Sequence, residues 1–217
     1  LEIKMAKKLL KSDRTEFMIF VAAFLGVLLL GTVYGVAIGV ILSFIAVIIK
    51  AVTPPRAFLG IIPGQRGFFD LARNRNAKVI RNAVIYRFSG SLFFANINTF
   101  QEEIENSIKD DTKCFVVDAT GITNIDITAA DRLMIINDKL RSKGIDFYIT
   151  GHVGSVNDQL RALGAEKLVD EGVVRRTASL ALRNSGIDKP YPYEGDENDT
   201  NTSIIETNEQ LAHRLRT

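Results

Sequence analysis

The chain has 217 residues, 47% apolar and 24% charged, with a formal net charge of +2. One cysteine, Cys114, excludes an intrachain disulfide, and two distant histidines, His152 and His213, leave no Cys/His cluster with zinc spacing. No phosphate-binding loop, strand-embedded GxGxxG or GxSxG elbow is present, so the sequence reads as a non-enzyme with no cofactor, no metal and no catalytic residue.

Leu1 to Leu10 reads as the interior of an element and position 1 is not methionine, so the chain is expected to be the C-terminal end of a longer one. Residues 1–16 form a basic, amphipathic juxtamembrane segment. Phe17 to Ile49 is then a run of 33 residues without a charge, 27 of them apolar, which passes the hydropathy threshold for a membrane segment. As one helix it would be roughly 50 Å long, against a hydrocarbon core of ~30 Å. Broken near Gly31 to Gly35, each half is roughly 22 Å, which suits a re-entrant hairpin of two short helices. The flanks agree: Lys4, Lys7, Lys8, Lys11 and Arg14 lie upstream, and Lys50, Arg56, Arg66, Arg73, Arg75, Lys78 and Arg81 downstream against Asp70 alone. Basic flanks stay cytoplasmic, so both ends of the hairpin are expected on one side. One tilted long helix is the alternative. Gly31, Gly35 and Gly39, four residues apart, are candidate packing positions, expected to meet membrane helices outside this chain.

Residues 50–65 read as a linker, interrupted by Thr53-Pro54-Pro55 and Pro63-Gly64. Residues 66–187 read as an α/β domain with a central, largely parallel β-sheet flanked by helices. Val84 to Phe88 and Leu92 to Ala95 are expected strands. Asn96 or Asn98 caps a helix with the stripe Ile97, Phe100, Ile104 and Ile108. Cys114 to Val117 is an apolar run ending in Asp118, as for a strand buried on both faces. A loop from Ala119 to Asp126 leads to a helix from Thr128 to Lys143, stopped by Gly144. Ile145 to Ile149 is a strand, Ser155 caps a helix to Leu163, Val173-Val174 is a short strand, and Thr177 caps a last helix to Asn184. Gly151-His-Val-Gly154 superficially suggests an anion nest. Residues 188–217 form an acidic tail of net charge −4, expected to be disordered.

The segments "AAFLGVLLLGTVYGVAIGVILSF", "PPRAFLGIIPG", "SGSLFFANINTF" and "VVDATGITNIDITAADRL" resemble the C-terminal part of SulP anion transporters: the last two short membrane helices and a cytoplasmic STAS domain. The resemblance covers residues 1 to 187. It implies the C-terminal hairpin and regulatory domain of a secondary anion transporter of sulfate or bicarbonate type, with its substrate site in membrane helices upstream. The implied partners are that upstream transmembrane domain, a second copy in a homodimer, the lipid bilayer, and a regulatory protein or nucleotide; nucleic acid is not among them. The implied location is the cell (inner) membrane, with the STAS domain and tail cytoplasmic. In anti-sigma-factor antagonists, which share the STAS fold, a serine in Asp-Ser-Ser-Gly is phosphorylated by a partner kinase. Thr128 matches the acceptor and Asp126 the acidic position, while Ile127 and Ala129 stand where the motif has serine and glycine. Thr128 also reads as an ordinary helix cap. Asp118 is a candidate loop anchor or ligand contact. The alternative function is a membrane-tethered STAS signalling module switched by phosphorylation or nucleotide binding near Thr128.

Overall fold

The computed structural model describes residues 14–152, 154–187 and 205–206. The chain divides into two units, the first ending at Thr53 and the second beginning at Pro54. Most of the basic segment 1–16 and nearly all of the acidic tail lie outside the described residues.

The first unit is two helices, α1 (Arg14–Leu30) and α2 (Thr32–Val52). They are separated by a single residue, Gly31, whose φ of +91° suits glycine and strains any residue with a Cβ. The alternative of one continuous helix is thereby excluded. The helices run antiparallel: Lys50 Nζ meets Glu16 Oε1 at 3.0 Å, and nearer the turn small residues face each other. A Cβ on Gly26 would lie 3.1 Å from Gly35 Cα, and one on Gly39 would lie 3.1 Å from Ala23 Cβ. A Cβ on Gly35 would fall 2.3 Å from the Val27 nitrogen, so the backbones touch there.

Two expectations are corrected. Gly35 and Gly39 pack against α1 within the hairpin itself, and Gly31 makes the turn instead of packing. The halves are also unequal. At ~1.5 Å per residue α1 is about 26 Å long and α2 about 32 Å, so α2 is long and apolar enough to cross a membrane by itself. The difference arises because α2 continues past the uncharged run through Lys50. Side chains pointing away from the seam, such as Leu29 and Val33, are about four-fifths exposed, an apolar surface of the kind that marks a lipid or protein contact.

The second unit is built on a six-stranded sheet ordered β2-β1-β4-β5-β6-β7. Its strands are β1 (Arg56–Gly60), β2 (Phe69–Asp70), β4 (Ala83–Phe88), β5 (Cys114–Asp118), β6 (Asp146–Thr150) and β7 (Val174–Arg175). β4 to β7 are mutually parallel; β1 runs antiparallel to both neighbours. Helices α3 (Ile97–Ser107), α4 (Ile127–Ser142), α5 (Gly154–Ala162), α6 (Glu166–Asp170) and α7 (Ala178–Asn184) complete it. Outside the sheet, β3 (Val79–Ile80) pairs with β8 (Ile205–Glu206).

Alternation along the strands divides the core. Tyr86, Phe88, Phe115, Val117, Phe147 and Ile149 face α3, α4 and α5, whose inward residues are Ile97, Phe100, Ile104, Leu133, Ile136, Val156 and Leu160. Ile85, Cys114 and Val116 face Ala181 and Leu182 of α7. Both faces of β5 are covered, which is why its sequence is apolar from Cys114 to Val117.

The expected linker 50–65 contains β1, which adds an antiparallel strand beside β4. The expected strand Leu92–Ala95 is not formed. Leu92 makes an isolated bridge to Ile125, after which Phe93 O accepts from Asn96 and Ile97 N–H and turns the chain into α3.

Candidate functional site

The carboxyl ends of the parallel strands and the loops that follow them form the candidate site. In open α/β sheets this edge is where ligands bind. Arg87, Asp118, Thr150 and Arg175 occupy successive positions across it, in register on β4 to β7.

Asp118 is 7% exposed and engaged on both oxygens. Its Oδ2 accepts from Arg87 Nε at 2.8 Å and lies 2.7 Å from Arg87 Nη2. Its Oδ1 accepts from the Thr120 N–H at 3.1 Å and from the Thr120 hydroxyl. The arginine stabilises the charged carboxylate, and the carboxylate holds the first turn of the β5–α4 loop. The neighbouring loops close over it. A Cβ on Gly151 would sit 2.6 Å from Thr120 Oγ1, and one on Gly121 2.6 Å from Ser89 Cα. Of the two roles considered for Asp118, the geometry favours the loop anchor, since its acceptor positions are taken.

Asp126 is the N-cap of α4: its Oδ1 accepts from Ala129 N–H at 2.8 Å, and its Oδ2 from Phe94 N–H at 2.9 Å. One carboxylate thus ties α4 to the β4–α3 loop. Leu92 N–H donates to Asn124 O and Asp126 N–H to Leu92 O, while Gln159 Oε1 of α5 accepts from Ile125 N–H at 2.9 Å. Asn96, 1% exposed, stands at the α3 N-cap position but points backward, accepting from Phe93 N–H and donating to Ser91 O, each at 2.9 Å.

Thr128 is not the cap. It lies in the first turn of α4, exposed, and its hydroxyl makes no hydrogen bond among the described residues. The capping role read for it passes to Asp126, because α4 begins at Ile127, one residue earlier than expected. Phe94 and Ile127, exposed by 67% and 60%, flank this turn. Ser155, expected to cap α5, lies inside that helix, whereas Thr177 does cap α7 by accepting from Leu180 N–H at 3.2 Å.

After β6, burial pushes the His152 imidazole below its ordinary range, and its Nδ1 has no hydrogen-bond partner among the described residues. Burial pushes the Cys114 thiol up to about 12, which leaves it protonated and unreactive.

The entry of the chain lies at this same edge. β1 runs antiparallel to β4, placing Arg56 opposite Phe88; Ser89 N–H donates to Pro55 O at 2.9 Å, and a Cβ on Gly90 would sit 2.6 Å from Pro54 Cβ. Arg56 Nε pairs with Glu103 Oε1 at 2.8 Å, and Glu103 also accepts from the buried Tyr86 hydroxyl. Arg87, Gly121, Gly151, Gln159 and this Arg56–Glu103–Tyr86 link have no local sequence signal, since each acts on a residue far away in the chain.

The STAS domain family model matches residues 74–181. A probable sulfate transporter of Mycobacterium tuberculosis is 28% identical over 180 residues, covering 82% of this chain and 32% of the relative. Probable sulfate transporter 3.4 of Arabidopsis thaliana is 28% identical over 171 residues, covering 74% and 26%. Residues 74–181 form a STAS domain. The fold agrees: murine Slc26a9, solved as an inward-facing anion transporter, superimposes with a TM-score of 0.74 over 84% of this chain and 30% of that one, at 18% identity. The chain spans about a quarter to a third of the length of these relatives. β1 extends the STAS sheet ahead of the matched residues, so the α/β unit begins at Pro54, before the family match.

Proposed function

We propose that this chain is the C-terminal membrane hairpin and regulatory STAS domain of a secondary active inorganic-anion transporter of sulfate or bicarbonate type. The observation that carries the reading is continuity. One alignment to a probable sulfate transporter covers 82% of this chain, more than the STAS match over residues 74–181 accounts for. The anion pathway then belongs to transmembrane helices upstream, and the hairpin is their re-entrant or spanning closure. The STAS domain and tail are cytoplasmic, as the basic flanks argue, and the transporter is a homodimer in the cell membrane.

Regulation is read from the loop cluster. The loops carrying Asp126 and Thr128 share the carboxyl edge of the sheet with Pro54 and Pro55, the residues through which the chain arrives from α2. A phosphate or nucleotide acting there acts beside that junction. The exposed, unused hydroxyl of Thr128 favours the second reading, a STAS signalling module switched at this turn, where added negative charge meets the positive end of the helix.

The test expresses the full reading frame containing this chain, reconstitutes it in proteoliposomes and measures radiolabelled sulfate uptake with bicarbonate and chloride as competitors. Saturable, competable uptake is expected. Inserted, folded protein that moves none of these anions refutes the transporter reading. Thr128→Ala and Thr128→Glu proteins with unchanged uptake and unchanged partner binding refute the switch.

A further inference from the structure

The segment between β1 and β4, residues 61–81, carries Arg66, Arg73, Arg75, Lys78 and Arg81, all exposed, against one acidic residue, Asp70. Asp70 is engaged locally: its Oδ1 accepts from Ala72 N–H at 2.8 Å, and its Oδ2 lies 3.5 Å from Arg73 Nε. The segment is well anchored. Ile61 and Lys78 exchange two backbone hydrogen bonds of 2.8 Å, and Leu71, Ala77 and Val79 form a small buried cluster beneath it. It is therefore a fixed positive surface, and a surface of one sign attracts its opposite.

Its strand, β3, lies outside the six-stranded sheet and pairs with β8, which comes from the far end of the chain. Val79 stands opposite Glu206 and Ile80 opposite Ile205, antiparallel. β8 belongs to residues 188–217, a stretch with seven carboxylates and three basic residues. Strand pairing and charge thus point to the same occupant, although neither follows from the other.

We propose that the basic surface of residues 61–81 is the docking site of the chain's own acidic C-terminal segment, residues 188–217. The segment adds to β3 as a strand, and its carboxylates neutralise the arginines beside it. Backbone pairing sets the register and the charges set the strength, the division of labour found in strand addition generally. The contact is intramolecular, so its effective concentration is high and even weak pairing is populated.

The test places Val79→Cys with Glu206→Cys in the full chain in dilute detergent. Cys114 is buried and protonated, and stays out of the exchange. Mild oxidation should give an intramolecular link several-fold above that of a Val79→Cys, Thr217→Cys control, and 0.5 M salt should reduce it. A link no better than the control, or one joining two copies, overturns the proposal. A second measurement needs no cysteine. Tryptic cleavage after Arg73, Arg75 and Lys78 should be at least five-fold faster in a chain ending at Ile187, which keeps all six strands of the main sheet. Equal rates in the two chains, or protection that appears only when phosphatidylglycerol vesicles are added, also overturn it.

Discussion

Replacing Asp126 with alanine removes two hydrogen bonds made by one carboxylate. Loss of the N-cap bond to Ala129 N–H costs about 1 kcal/mol. Loss of the bond from Phe94 N–H costs about another 1 kcal/mol; a charged acceptor raises that figure, but water reaches this exposed loop and lowers it again. The sum is about 2 kcal/mol, which for a unit of this size is a fall in melting temperature of roughly 4–8 °C. Asp126→Asn should retain most of the cap and lose less. Thr128→Ala should cost nothing and can gain a few tenths of a kcal/mol, because an exposed threonine in the first turn gives way to the best helix former. The assay is urea unfolding followed by circular dichroism at 222 nm in mild detergent; the sequence has no tryptophan to report it. The refuting result is an inverted order: Thr128→Ala losing 1 kcal/mol or more while Asp126→Ala is unchanged. That would return the cap to Thr128 and remove the basis for its free hydroxyl.

In the hairpin, Gly35→Ala should loosen the α1–α2 seam by about 1–3 kcal/mol, because its new methyl would overlap the Val27 backbone at 2.3 Å. Gly39→Ala, 3.1 Å from a side-chain methyl, should cost less; cross-linking of cysteines placed on the two helices would show equal loss for both if the seam were elsewhere. His152 supplies a pH dependence. Its folded-state pKa is depressed by burial, so below about pH 6.5 the unfolded chain takes up a proton that the folded chain refuses. Its contribution to stability is present above that pH and is lost as pH falls through the folded-state pKa. Melting temperatures measured between pH 7.5 and 5.5 should fall less in His152→Gln than in the parent, and parallel curves would contradict this.

Features read from the sequence succeeded where the physics is local. An uncharged apolar run, a chain-reversing glycine, the unbroken Cys114–Val117 strand, the stop at Gly144 and the Thr177 cap all depend on residues within a turn or two. The α/β order followed, because apolar strands alternating with amphipathic helices have few ways to cover a sheet. The candidate residues were legible only in part: Asp118 and Asp126 stand out in the sequence, but they also hold partners 31 and 32 residues away, Arg87 and Phe94, which it does not show.

Sequence alone therefore determined which segments are apolar, where helices stop and which side of the hairpin is basic, since composition and backbone preference act at short range. Tertiary structure decided the rest. Arg56–Gly60 lies between the prolines at 54 and 55 and the Pro63-Gly64 turn, so it reads as linker, and pairing with β4 and β2 makes it a strand. The glycine stripe specifies close approach but not the partner, and a one-residue turn at Gly31 selects α1. A carboxylate and a hydroxyl two residues apart both suit a helix start, and the one that also reaches Phe94 N–H takes the cap, because one set of atoms then satisfies two loops.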